Sequence, residues 1–570
     1  ASLPTFGELR VAQGHVDLRD AASPAKLEAR FSLDDSSDRA VSAANAPASG
    51  GIAVVAGGAA AASSVPALPE GPIAPGLRLA ASGTYKAWPV RINLMTSGVL
   101  GLLEGDPQAQ PVTLEATLGK AELSFKGSTT DPLHLRGLKG TFSLSGPSLA
   151  AVGDPIGVTL PTTPAFSSRG GFFKDGNLYK VVFDSAQIGS SRLNGAFTFD
   201  RGRKVPLLAG RLGGSRLVLA DLGPAVGAPA VQGGDEKADA AAASRGDRVF
   251  PDKKFDLPSL RAMDANVLVD IAMFDPGTSI IEPLRPAHAH LLLADGVLTI
   301  SDFVGTTAQG RIVGYLQLDG RSDKALWTAD LRLLGINLAQ FLHLKRAGSA
   351  PPYLAGKLDA LIKVKGSGRS TAEIFASLNG DIRAHLREAS ISHLVVEAGG
   401  IDIAQALGML VKGDDALPIQ CNVADLDVEK GVIKPKVFVI NTRDSTIWVD
   451  GTISLRNEGM DLRAVVSPKD FSPLTLRTPI HVRGTLSKPA VSLELGKVAG
   501  KVGAAGLLAL LNPLAAIVPF IDPGARGEAK KAGEECAALV PTSGRIPAPV
   551  RVPATTRVPP AATASAPPRR

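Results

Sequence analysis

His288-Ala-His290 is the residue pattern in this chain most able to do chemistry, because it sets two imidazoles on one strand face at a spacing that can bind zinc. No acidic residue or third histidine stands at a telling distance, so a solvated strand pair is the plainer reading. The other histidines, His15, His134, His343, His385, His393 and His481, are scattered. Gly366-Ser-Gly368 is too short for a nucleophile elbow. Gly170-Gly171 and Gly213-Gly214 read as turn or bulge glycines before phosphate cradles. The residues nominate no catalytic group, no metal site and no cofactor. Cys421 and Cys536 are the only cysteines. They suit one structural disulfide in an oxidising compartment or, equally, two free buried thiols; a bond would tie the last helical segment back to a strand.

The elements behind these residues are strands. A turn glycine, an apolar strand and a second glycine opening an alternating strand recur three times. The copies run from Gly176 to Gly195-Ala-Phe197-Thr-Phe199, from Gly296 to Gly314-Tyr-Leu316-Gln-Leu318, and from Gly431 to Gly451-Thr-Ile453-Ser-Leu455, with spacings of 19, 18 and 20 residues. Each is one hairpin. In the third copy Ile447, Val449, Gly451, Ile453 and Leu455 share one face, while Trp448, Asp450, Thr452 and Ser454 share the other. Leaving four such side chains uncovered forfeits roughly 6 to 12 kcal/mol. Helix signals are few: Ile336–Leu344 after Gly335, Thr371–Leu378 capped by Ser370 with Glu373 as in a capping box, and Ile401–Val411. That scarcity excludes a doubly wound α/β fold. The apolar faces therefore pack on each other as a sandwich or line a groove filled by an apolar ligand.

Residues 1–222 are expected to form an N-terminal β region containing a loose insertion at 41–76. A linker at 223–249 leads to a second β domain at 250–538, ending in helices at 497–538, and 539–570 is a Pro/Arg tail. In the N-terminal region, Leu3 to Leu18 reads as strand, turn at Gly14, strand. The net charge of +7 falls largely on Arg545, Arg551, Arg557, Arg569 and Arg570, leaving the rest near neutral. With aromatic residues at 5% and no folded basic patch, nucleic-acid binding gains no support. Val502–Ile521 has the length of a membrane span, but Pro513 and Pro519 interrupt it, so two short amphipathic or buried helices capping the sheet are expected, ahead of contact with a membrane surface and of a true span. The chain opens on Ala1 in strand material, which suggests a fragment whose targeting region is missing.

Several motifs occur in a telling order. They are Gly366-Ser-Gly-Arg-Ser-Thr-Ala-Glu-Ile-Phe-Ala-Ser-Leu-Asn-Gly380, Cys421-Asn-Val-Ala-Asp-Leu-Asp-Val-Glu-Lys-Gly431, Gly451, Pro479-Ile-His-Val-Arg-Gly-Thr-Leu-Ser-Lys-Pro489, and Leu510-Leu-Asn-Pro-Leu514 before Cys536. Together they resemble the C-terminal region of the AsmA family over roughly 330–538. Upstream strands look like the family's weaker repeats. The resemblance implies a bacterial envelope protein on the periplasmic side of the inner membrane, anchored by an N-terminal helix absent from this chain. It also implies a mainly β fold: a long curved antiparallel sheet forming an open hydrophobic trough, with a few short amphipathic helices, akin to bridge-like lipid-transfer proteins. The expected function is non-enzymatic shielding or transport of phospholipid acyl chains in support of outer-membrane biogenesis. The lipid-facing candidates are Phe197, Phe199, Leu316, Leu318, Ile447, Val449, Ile453 and Leu455. Envelope proteins are possible partners, and the alternative is an assembly factor for outer-membrane proteins that acts through sheet edges.

Overall fold

The computed structural model describes residues 8–20, 24–36, 76–86, 88–96, 109–130, 137–149, 151–152, 163–221, 249–250, 252, 254–255, 257–276, 281–342, 352–392, 416–443, 445–469, 479–493 and 536. The expected insertion at 41–76 (apart from Gly76), nearly all of the 223–249 linker, the helix at 401–411, the 497–538 helices (apart from Cys536) and the tail lie outside the described residues.

The described residues are mainly β, 75% strand and 6% helix. They belong to two units, one built on Ala1–Leu217 and the other on Gly234–Arg570. The first carries β1 (Glu8–Asp20), β2 (Ala25–Ser36), β3 (Gly76–Tyr85), β4 (Trp88–Thr96), β5 (Gln110–Leu118) and β6 (Ala121–Thr129). It continues with β7 (Leu138–Gly146), β8 (Phe166–Asp175), β9 (Leu178–Ile188), β10 (Ser191–Asp200) and β11 (Leu207–Val218). Each strand pairs antiparallel with the next. Gly14 is not a turn: β1 runs straight through it, with a register shift between Val11 and Gly14. The Phe31 ring sits 2.2 Å from where a Cβ on Gly14 would stand, so the glycine seats a ring from the neighbouring strand.

The second unit opens with α1 (Leu257–Arg261), β12 (Asp264–Ile271), β13 (Phe274–Asp275), β14 (Ala287–Ala294), β15 (Val297–Thr307) and β16 (Gly310–Asp319). Then come β17 (Ala325–Asn337), α2 (Leu338–Phe341), β18 (Leu354–Gly368), α3 (Thr371–Ala376), β19 (Asn379–Ser392) and β20 (Ala416–Glu429). It ends with β21 (Val432–Thr442), β22 (Ser445–Ser454), β23 (Gly459–Pro468), β24 (Ile480–Thr485) and β25 (Pro489–Leu493). β12 pairs with β14, and from β14 onward each strand pairs antiparallel with its successor.

Turn chemistry builds these hairpins. Asp295-Gly296 and Lys430-Gly431 both take positive φ at the two turn residues (50° and 75°, 49° and 77°), the two-residue geometry whose twist matches antiparallel strands. Register shifts recur from strand to strand, at Ile300/Phe303, Leu333/Ile336, Ala355/Lys357 and Asp425/Leu426. Such bulges bend the strands and increase their twist. Where the β19–β20 ladder skips residues 385–389, Asn422 fills the gap. The Leu386 N–H donates to its Oδ1 at 2.6 Å, and its Nδ2 donates to the Leu386 carbonyl at 2.8 Å.

Among the described residues of the helix expected at 336–344, the helical part is shorter than the sequence suggests. Ile336 and Asn337 end β17, and only Leu338–Phe341 are helical, capped by Asn337 Oδ1. Cross-strand pairing of Ile336 with Leu358 overrides the helical pattern. The Ser370 cap forms as its sequence indicates: Ser370 Oγ accepts from the Glu373 N–H at 3.1 Å and donates to Asp252 Oδ1 at 3.1 Å. Ser370 is fully buried. Ser370→Ala is therefore expected to lower unfolding stability by about 1 to 2 kcal/mol, read as a lower urea midpoint at unchanged slope.

Candidate functional site

The register of the second unit aligns apolar residues into rungs running from strand to strand. One rung passes through Ile300, Leu316, Ala329 and Val364 on β15 to β18. It continues through Gly380, Val428, Ile433, Ile453 and Met460 on β19 to β23. A second rung joins Leu331, Ile362, Ile382 and Leu426. A third joins Leu333, Ala360, Ala384, Ala424 and Phe438. Directly opposed residues share a face, so these rungs form one apolar surface.

The opposite face is ionic. Lys363 faces Asp330 at 3.6 Å, Arg383 faces Asp425 at 3.7 Å, and Arg483 meets Asp461 at 3.0 Å. Lys436 sits 2.9 Å from Asp381 and 3.2 Å from Asp427, and its ammonium holds the Asp381 carboxyl below the usual carboxylate range. Apart from Asp330, whose side chain is 14% exposed, these pairs are open to solvent and add little stability; this face is charged along the strands except where Val423 and Val439 are buried on it.

Burial on the apolar face is uneven. Near the β16–β17 and β22–β23 turns, Ala329, Val364, Ile374, Leu378, Val428 and Leu455 form a closed cluster under α3, with Phe250 and Phe255 packed against it. Toward the other strand ends, Ile391, Ile440, Ile447 and Val466 form a second cluster. Between the clusters, Leu333, Ala360, Ala384 and Ala424 are only half-buried and belong to neither.

These positions sort the lipid-facing candidates. Leu316 and Ile453 share the first rung, and Leu318 lies one step outward beside Trp327. Val449 pairs with Ala464. These four are half-buried; Leu316 and Leu318 pack against the first cluster and Val449 against the second, while Leu455, 8% exposed, and Ile447, 4% exposed, are buried members of those clusters. In the first unit Phe197 opposes Val181 and Gly210, its ring 6.2 Å from that of Phe183, while Phe199 lies 6.2 Å from Tyr179. There a rung joins Leu79, Leu94, Leu114, Phe125 and Phe142. The Phe125 ring occupies the Cβ positions of Gly127 and Gly140, at 2.7 and 2.8 Å, so it lies along the sheet.

The alanine rung was not among the candidates. Its signal is present in β18, where Leu358, Ala360, Ile362 and Val364 alternate with Asp359, Leu361, Lys363 and Lys365. Its alignment with Ala384 and Ala424 depends on bulge positions that no single strand reveals.

The structure joins Cys421 and Cys536 in a disulfide. Cys536 is buried with Val423 and Val439, residues that alternate with Ala424 and Phe438 and so stand on the face away from the rungs. His288 Nδ1 lies 2.7 Å from Asp270 Oδ1 and His290 Nε2 lies 2.8 Å from Asn266 Oδ1, so each imidazole is engaged by the neighbouring strand. Among the described residues no group of three His, Cys, Asp or Glu could hold a metal ion, and no helix is long and apolar enough to cross a membrane. A polar depression of about 350 Å³ in the first unit is lined by Arg91, Asn93, Glu115 and Glu122 and holds no catalytic arrangement.

Comparison with known proteins places this surface in context. The AsmA family matches residues 77–438. The chain is 28% identical over 466 residues to the AsmA family protein YhjG of Escherichia coli (strain K12), covering 80% of this chain and 67% of that protein. No solved structure matches. The family match lies further toward the N-terminus than the motif order at 330–538 suggests; it includes Gly366–Gly380 and Cys421–Gly431 but stops before Gly451 and Pro479–Pro489.

Proposed function

Because this chain belongs to the AsmA family, we propose that it is a non-enzymatic envelope protein whose apolar sheet face takes up phospholipid acyl chains and supports outer-membrane biogenesis. Family membership supports the envelope-associated role. The acyl-chain reading is carried by one observation: one apolar rung continues without a polar interruption from β15 to β23, and beside it the strip of Leu333, Ala360, Ala384 and Ala424 between the two packed clusters is only half-buried. Each CH₂ group laid on that strip gains about 0.8 kcal/mol. A chain of such groups, linear and without polar demands, fits a surface that offers no hydrogen-bond partner. In this reading Leu316, Leu318, Val449 and Ile453 contact the chain directly, and in the first unit Phe197 and Phe199 do so. The protein acts on the periplasmic side of the inner membrane.

The competing reading is an assembly factor that grips outer-membrane proteins by strand addition to a free sheet edge. Pro489 begins β25, the last strand among the described residues, and leaves that strand one backbone donor short, which favours the lipid reading. Purification without detergent, followed by organic extraction and mass spectrometry, is expected to recover phospholipid. Ile453→Asp is expected to reduce the recovered lipid several-fold while the melting transition stays cooperative. Equal lipid in both proteins would sink the proposal, and global unfolding of the variant would assign Ile453 to a closed core.

A further inference from the structure

The turns joining β14 to β15, β16 to β17, β18 to β19, β20 to β21 and β22 to β23 all lie at one end of the strands and form a continuous rim. Backbone hydrogen bonds link neighbouring turns: Gly320 N–H to Gly296 O at 2.9 Å, Gly431 N–H to Leu378 O at 2.8 Å, and Leu455 N–H to Gly431 O at 2.7 Å. Described residues of the segment that enters this unit, between Val249 and Arg261, touch four of these turns, all but the β20–β21 turn. The backbone N–H groups of Val249 and Phe250 both donate to the Glu458 carboxylate beside the β22–β23 turn, the second at 2.9 Å. The Phe250 ring packs 4.6 Å from that of Phe375 on α3, and the Phe255 N–H donates to Arg369 O at 2.7 Å. Leu257 and Leu260 then lie against Gly320, and Arg261 against Gly296.

Two features make this segment separable from the sheet. Val249, Phe250 and Phe255 belong to no strand, so lifting them breaks no ladder, unlike peeling any β-strand away. Glu458 is 1% exposed beside an apolar cluster, and a carboxylate so buried regains water when its backbone partners leave. What lies beneath is the first packed cluster of the apolar face, against which Leu316, Leu318, Trp327 and Leu331 pack as Phe250, Phe255 and Phe375 do.

We propose that Val249–Arg261 is a releasable strap along this rim, latched by Glu458, whose opening admits an alkyl chain sideways onto the rungs; the entrance role rests on the acyl-chain reading of that face. Glu458→Gln keeps the shape but sets an amide N–H₂ against one backbone N–H. Hydrogen exchange on the intact chain is expected to be about tenfold faster or more at the amides of Val249, Phe250 and Phe255, with β17 and β18 unchanged. Phe250→Ser, which leaves the carboxylate in place, is expected to give the same confined acceleration. Loading from phosphatidylglycerol vesicles carrying a fluorescent acyl chain is expected to be faster in both variants, with the same final occupancy. Unchanged exchange in both variants overturns the latch, and faster exchange with unchanged loading overturns the entrance. Failure of the native chain and both variants alike to load overturns the acyl-chain reading itself, while exchange still decides the strap.

Discussion

Gly314→Val is expected to destabilise the second unit by about 3 kcal/mol or more, enough to remove much of the margin of an ordinary domain. Gly314 sits inside β16 at φ +150°, and a Cβ there would stand 2.0 Å from the Asp330 carbonyl oxygen of β17. A β-branched side chain cannot relieve that contact by rotation, because the obstacle is backbone held by the ladder between Gly314 and Leu331. Gly176→Ala, at a turn of the first unit, shows the left-handed penalty without a clash. Gly176 has φ +54° but nothing within 4 Å of its Cβ position, so only the left-handed backbone penalty of about 1 kcal/mol applies. Urea unfolding of the two variants is expected to differ by about 2 kcal/mol or more. Equal midpoints would mean that β16 does not approach β17 as closely as described.

Loss of the disulfide is the other large effect. Cys421 and Cys536 are 115 residues apart, and the loop they close contains β21 to β25 entire. Cross-linking a loop of this length restricts the unfolded chain, and its removal is expected to cost about 2 to 5 kcal/mol. Cys536→Ser also sets a hydroxyl beside Val423 and Val439, which are 7% and 2% exposed. The double variant with Cys421→Ser is therefore expected to be little less stable than Cys536→Ser alone, since one bond is lost in each. Dithiothreitol is expected to lower the midpoint of the native protein and leave both variants unmoved. A native midpoint insensitive to reductant would remove the cross-link from the account of stability.

The glycine repeats were legible in the sequence but their physical content was not. The first glycine of the second and third copies, Gly296 and Gly431, follows a residue that also has positive φ, so a turn is the natural reading. The second glycines, Gly314 and Gly451, only look like strand openers. Both are mid-strand points where a neighbouring carbonyl oxygen, Asp330 O at 2.0 Å and Asp461 O at 2.2 Å, fills the place of a side chain. Gly14 shows the reverse error, a turn expected where a Phe31 ring needs room.

The strap was the least legible element. Val249 falls at the end of an Ala/Gly-rich stretch, and nothing local marks it as a partner of Glu458, 209 residues away. A buried glutamate inside a hairpin turn has no periodic signature. Its role arises only once the turns are stacked into a rim.

By itself the sequence determined the fold class, the alternation of apolar and polar faces within each strand, the Ser370 cap and the family, because each depends on residues within one hairpin or on motif order. The tertiary structure alone decided which strands stand in register, that the Ala360, Ala384 and Ala424 rung separates two packed clusters, and that Ile447 and Leu455 are buried while Leu316 and Ile453 are half-open. The reason is geometric. Side chains alternate with a period of two, and each bulge shifts that alternation by one residue. Whether an apolar residue faces the open strip, a closed cluster or the ionic side therefore depends on every bulge placed between its strand and its neighbours.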